Sequence, residues 1–243
     1  MEDSLWLLAA VATAAGAVAA VSGFGIGSLI TPLLMLSLPA AHAVAVASIP
    51  HLVATALRLY RLRRDVHWPT FKQFGIASAI GGLAGAALQS QLASPVLSLI
   101  LGGLLIVAGV AELSQRRLPL PQTGFWRLAG GALSGLFGGL VGNQGGIRAA
   151  ALLGFKLSAR QLVATATASA ILVDVARVPI YLLVAGAVIA GERDIIFVAT
   201  AGVIIGTLIG VPVLSRVPEG AYRRLLGGLL VVLGLMLCSA ALR

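Results

Sequence analysis

The chain has 243 residues, 59% of them hydrophobic and only 10% charged, with a mean hydropathy of +1.03. A soluble domain carries about 25% charge to face water, so an ordinary water-soluble enzyme is excluded. The formal net charge is +9, but the basic residues cluster between apolar runs, a pattern that orients membrane helices. Aromatic residues make up 5%, too few for a set that stacks nucleobases, and no alternating strand pattern predicts a barrel.

Apolar runs between polar breaks predict eight segments. The acidic start, Met1-Glu2-Asp3-Ser4, lacks the basic region of a cleavable signal peptide, so the first segment is expected to remain in place. That segment, 5–37, is too long for one span of about 20 residues. Segments 42–62, 71–88 and 95–113 follow, then a polar linker, then 125–153, 159–190, 195–214 and 221–242. The lone Cys238 allows no intramolecular disulfide and no cysteine-built metal site, and it is expected to pack inertly.

The halves repeat each other. LGGLLIVAG (101–109) and LGGLLVVLG (226–234) share seven of nine residues at an offset of 125, which also places Gly81 and Gly85 on Gly206 and Gly210. An offset of 119 places Gly23, Gly27 and Arg58 on Gly142, Gly146 and Arg177. Internal repeats in a polytopic protein are a signature of secondary transporters. The predicted organisation is a first transmembrane repeat over 1–113, a cytoplasmic linker over 114–124 and a second repeat over 125–243.

Charge then chooses between topologies. Eight plain spans put Arg58, Arg61, Arg63, Arg64, Lys72, Arg116, Arg117, Arg127, Arg193 and Arg243 on one face, and Lys156, Arg160, Arg216, Arg223 and Arg224 on the other, ten against five. If the first and fifth segments are broken hairpins that enter and leave by one side, the count becomes thirteen against two. The positive-inside rule favours the second arrangement. The expected fold is therefore an all-α polytopic membrane protein of two inverted repeats, each with three spanning helices and a re-entrant helical hairpin.

Two glycine-rich breaks fall inside the long segments: Gly23-Phe24-Gly25-Ile26-Gly27, followed by Pro32, and Gly138-Gly139-Leu140-Val141-Gly142-Asn143-Gln144-Gly145-Gly146. Glycine frees the backbone to turn and exposes its N–H groups, and the N-terminus of a broken helix attracts anions. Backbone N–H groups at Gly25, Gly27, Gly145 and Gly146, with the amides of Asn143 and Gln144, thus form a candidate substrate site; close helix packing through glycine is the alternative. No Gly-Lys-Ser/Thr follows either break, so neither is a phosphate-binding loop.

Arg148 and Arg177 could supply charge to the same site, because a guanidinium offers an oxyanion paired N–H bonds. Arg148 could equally snorkel to the interface. Arg177 could form a structural pair with Asp174, three residues earlier on its helix face. Arg58 occupies the matching position of the first half but merges with the basic cluster ending at Arg64. Asp174, His42 and His51 are candidates for carrying a coupling proton. No metal-ligand spacing, catalytic triad order or HExxH motif is present, so neither metal nor cofactor is expected and the chain does not read as an enzyme.

GFGIGSLITPLL (23–34), its weaker second copy GNQGGIRAAALL (142–153), the basic stretch after Arg58 leading to Val66-His67-Trp68, and the LGGLL blocks together resemble the TauE/SafE sulfite exporter family, also described as four-toluene sulfonate uptake permeases. The resemblance runs over nearly the whole chain. It implies a multi-pass transporter in a bacterial-type inner membrane that moves small sulfur-containing anions such as sulfite, sulfoacetate or other organosulfonates. Its partners would be that anion, membrane lipid and, as an open option, further copies of the chain, with no nucleic acid. A passive anion channel, or a membrane enzyme or assembly partner, are the competing readings.

Overall fold

The computed structural model describes residues 2–22, 25–114, 124–214 and 218–242, leaving aside the side chains of residues 2–4, 212–214, 219 and 222. Gly23, Phe24, Arg116, Arg117, Arg216, Arg243 and linker residues 115–123 therefore lie outside the described residues.

Every element among the described residues is helical. In chain order they are α1 Glu2–Ser22, α2 Ile26–Leu34, α3 Ala40–Leu62, the single turn α4 Trp68–Thr70, then α5 Ile76–Gln89, α6 Ser94–Ser114, α7 Gly124–Val141, α8 Gly145–Leu153, α9 Ala159–Gly191, α10 Arg193–Leu214 and α11 Glu219–Ala241. A π turn, Phe71–Gly75, leads from α4 into α5. All eight predicted segments are present, and the first and fifth are each split at their glycine-rich break. Among the described residues, six helices are long and apolar enough to cross a membrane. The protein is thus an integral, multi-pass helical membrane protein. Turn chemistry sets several boundaries: Pro39 and Pro218 stand just before α3 and α11, and Ser158 with Gln161 forms a reciprocal capping box that starts α9. α9 bends at Ala185, whose φ of −127° and ψ of 21° are not helical.

Glycine dictates the tightest packing. A Cβ on Gly206 would overlap the Thr13 carbonyl and one on Gly210 would stand 2.7 Å from the Ala17 carbonyl, so α1 and α10 run parallel with their backbones in contact. Gly81 and Gly85 meet the Ala132 and Leu136 carbonyls in the same manner, so α5 and α7 are parallel as well. The LGGLL blocks pack on each other antiparallel: a Cβ on Gly102 would stand 2.8 Å from the Gly234 carbonyl, and one on Gly234 2.6 Å from that of Gly102. Each of these pairs joins a helix from before the linker to one from after it.

Helix directions then fix where the ends lie. His51 pairs with Asp174 and Arg58 with Thr167, so α3 and α9 are antiparallel. The end of α3 therefore lies beside the start of α9, where Arg160 reaches Asp65 at 3.2 Å. α5 and α7 start at that end and α6 finishes there, with Arg223 of α11 bound to Glu112 at 2.7 Å. Basic residues accumulate at this end, and Glu192, Arg193 and Asp194 sit at the other. α2 and α8 have nine residues each, about 13.5 Å, too short for a hydrocarbon core of about 30 Å. α2 returns to the end from which α1 starts, and α8 returns to the opposite, basic end.

The interior holds many polar and charged side chains beside its apolar core, while large apolar side chains stand on the exterior. Ser28, Thr31, Ser48, His51, Thr55, Arg58, Gln144, Arg148, Thr167, Asp174 and Arg177 are all buried, whereas Trp6, Leu7, Val107, Leu183, Phe197 and Leu225 are exposed. That distribution suits a lipid surround with a polar centre.

Candidate functional site

The two helix breaks meet. Gly25 has a φ of +132° and Gly142 one of +73°, regions that only glycine enters freely. Gly27 lies so close to Gly142 that a Cβ on it would overlap the Gly142 carbonyl. Each break is followed by a short helix whose first N–H groups lack an intrahelical acceptor, and neither Gly25 nor Gln144 caps its helix with a side chain. Both helix N-termini border one small cavity, lined by Gly25, Gly27, Ser28, His51, Gly142, Asn143, Gln144, Gly145 and Arg148. Its volume, about 10 Å³, accommodates roughly one water.

The polar groups around it are unequally engaged. Ser28 Oγ donates to Asn143 Oδ1 at 3.2 Å, and Ser134 Oγ to the Gln144 carbonyl at 3.3 Å. The Gln144 carboxamide is buried, yet neither its Nε2 nor its Oε1 has a hydrogen-bond partner among the described residues. Buried amides are normally satisfied, which makes this one an exception among the polar groups at the cavity. Arg148, 2% exposed, stands one helical turn further on.

Behind the cavity lies an ion-paired triad. His51 Nδ1 is 2.7 Å from Asp174 Oδ2, and the other carboxylate oxygen accepts from Arg177 Nε at 2.9 Å and lies 2.8 Å from Arg177 Nη2. A carboxylate only accepts, so His51 holds its proton on Nδ1 and keeps Nε2 as the second functional atom of the ring. Arg177 Nη1 donates to the Gly138 carbonyl at 2.5 Å, tying the triad to the last turns of α7. Arg58 donates from Nη1 to the Ala19 carbonyl at 2.7 Å and from Nε to Thr167 at 2.9 Å.

A second cavity, about 160 Å³, opens near the acidic end of the bundle between α3, α5 and α9. His42, Gln89, Ser90 and Tyr181 line it beside the Ala185 bend. Tyr181 donates to the Gly139 carbonyl, and Gln89 Nε2 to that of Leu140 at 3.2 Å. The last turn of α7 thus stands between this cavity and the helix breaks.

Of the residues singled out in the sequence, Gly25, Gly27, Asn143, Gln144, Gly145, Arg148 and His51 line the small cavity, with Gly146 one position further along α8. Arg177 and Asp174 reach it through His51, while His42 lies in the second cavity. Sequence reasoning missed Ser28, Ser134, Tyr181 and Gln89. Ser28 follows Gly27 directly and Tyr181 repeats the Arg177 face four residues on, so those two carried a signal; Gln89, at the end of an apolar helix, carried none.

The Sulfite exporter TauE/SafE family description matches residues 8–237. No curated protein and no solved structure matches the chain.

Proposed function

This chain belongs to the TauE/SafE sulfite exporter family, and from that premise we propose that it carries small sulfur oxyanions or organosulfonates, such as sulfite or sulfoacetate, bound where the two helix breaks meet. The Gln144 carboxamide carries this reading: a buried donor without a partner among the described residues, at a helix N-terminus beside Arg148, in a cavity that both breaks border. Sulfite has three oxygens on one centre and accepts from several directions. The first N–H groups of α2 and α8 provide fixed partial positive charge, and the amide of Asn143, whose Oδ1 takes Ser28, offers its NH₂ end. Neutral donors hold an anion firmly enough to select it and loosely enough to release it. The cavity takes about one water, so the hairpins must separate for a four-atom anion to bind.

The same reading makes the halves inverted repeats in an inner membrane, with the basic end cytoplasmic. Reciprocal geometry supports it. Gly81 and Gly85 contact Ala132 and Leu136, while Gly206 and Gly210 contact Thr13 and Ala17, the counterparts at offsets of 125 and 119. The site then falls between the repeats, near the middle of the membrane, and lipid surrounds the apolar exterior.

The test is binding of sulfite, thiosulfate and sulfoacetate to purified protein, read by calorimetry, with Gln144→Leu as the variant. Gln144→Leu is expected to weaken binding at least about tenfold, or about 1.4 kcal/mol, with folding retained. Parental affinity in the folded variant would remove the anion from this cavity. Uptake against a gradient in proteoliposomes separates a transporter from a channel, and no flux at all would favour a membrane enzyme or assembly partner.

A further inference from the structure

We propose that His51 is the proton carrier of this transporter: its Nε2 takes up one proton as a dianion binds beside it and returns that proton when the anion leaves. The inference rests on the anion site of the preceding section and goes beyond it, because it makes anion binding and protonation one event.

Three observations lead there. His51 is the only imidazole bordering the small cavity, and its Nδ1 is committed to Asp174. The exchangeable position is therefore Nε2, a lone pair that accepts one proton and becomes an N–H donor. Asp174, the other titratable group in the triad, has 0% exposure and both oxygens occupied by His51 and Arg177. It orients the ring and has no opening to the cavity. His42 lines the separate cavity.

The balance of charge supplies the coupling. The charged groups facing His51 are Asp174 and Arg177 of α9 and Arg148 of α8, and Arg58 lies two turns further along its own helix α3. Thr55 Oγ1, 3.4 Å from Nδ1, and Tyr181, one turn beyond Arg177, are the neutral neighbours. Three guanidinium groups stand against one carboxylate in a site away from water. A fourth cation is unfavourable there until a dianion compensates two of the charges, so proton and dianion enter together. When the ligand is hydrogen sulfite, its O–H transfers the proton to Nε2, and the bound pair is sulfite and imidazolium. When the ligand has no proton, water at the open side of the site supplies it, leaving hydroxide to the bulk.

Thiosulfate is the probe, because it remains a dianion throughout the neutral range. Calorimetry in two buffers of different ionisation enthalpy reads the protons taken up per anion bound. Wild type is expected to take up about one near neutral pH, and its Kd to rise about tenfold per pH unit on the alkaline side, the slope of one linked proton. His51→Gln is expected to take up none and to bind with a flat pH profile. Zero uptake by wild type overturns the proposal, and so does equal uptake by folded His51→Gln. If that variant does not fold, the wild-type stoichiometry still decides, with His42→Gln expected to retain full uptake; loss of uptake in His42→Gln would overturn the assignment to His51. Absence of thiosulfate and sulfite binding in either buffer would overturn the anion site itself, an outcome distinct from binding without proton uptake.

Discussion

Arg58 and Arg177 occupy matching positions in the two halves, and the contrast between them separates scaffold from chemistry. Each guanidinium donates from Nη1 to a carbonyl near the end of a hairpin's first helix, Ala19 in α1 and Gly138 in α7. Those two acceptors are themselves 119 residues apart, the offset that relates the arginines. Beyond that shared bond they diverge. Arg177 is locked to Asp174, where the first half has Thr55, and Asp174 holds His51, where the second half has Ala170. At the breaks, Asn143, Gln144 and Arg148 correspond to Phe24, Gly25 and Leu29. In the proposed repeat the backbone frame is duplicated, whereas Asp174 and its pairing with His51 have no counterpart at the matching positions, Thr55 and Ala170.

The largest effect should come from cutting that chemistry. Arg177→Met leaves Asp174 buried with only a histidine partner, so a loss of about 3–5 kcal/mol is expected. Arg58→Met, which strands no buried carboxylate, should cost less, about 1.5–3 kcal/mol. Thermal unfolding of the two purified variants compares them directly, and equal losses would mean that the halves are energetically equivalent despite Asp174.

A matched pair of glycine substitutions tests the proposed duplication of the frame. Gly81→Val and Gly206→Val each force parallel helices apart at equivalent places, and each should cost about 1–3 kcal/mol. Because the two contacts are remote from each other, the double variant should show the sum. Strongly unequal losses would break the equivalence of the α1–α10 and α5–α7 pairs.

Sidedness gives a third check, without a change in stability. With Cys238 replaced by Ala, single cysteines at Lys156 and at Arg63 should be labelled from the same side of the membrane, and one at Glu192 from the other. Labelling of the first two from opposite sides would restore eight plain spans. The smallest effect is expected from Ser28→Ala, which removes the hydroxyl that orients Asn143. A fall of less than about tenfold in anion affinity is expected, since one neutral hydrogen bond contributes about 0.5–1.5 kcal/mol; a larger fall would make Ser28 a direct ligand.

The helices and their breaks were legible because lipid enforces long apolar runs and glycine interrupts them conspicuously. The charge clusters and the repeat offsets are the sequence features from which the proposed inverted arrangement is argued. Side-chain partnerships across helices were not legible. Nothing in the sequence places His51 on Asp174, 123 residues away, or distinguishes it from His42, because both lie on one apolar helix and only the crossing with α9 separates them. Gln89 gave no signal for the same reason: its role arises from a carbonyl freed at the end of α7.

The parallel pairing of α1 with α10 sets a timetable for biogenesis. Thr13 meets a partner, Gly206, that lies near the far end of the chain. At about 5–20 residues per second, roughly 10–40 s of synthesis separate them. Throughout that interval the face of α1 that packs on α10 in the folded protein lacks that partner. α5 waits more briefly for α7, and α6 until α11 emerges. The closest packings of the first half, α1 on α10, α5 on α7 and α6 on α11, all need a helix synthesised after the linker. A chain truncated after the linker should remain assembly-incompetent and be degraded, while the two halves made as separate polypeptides can still complete one another.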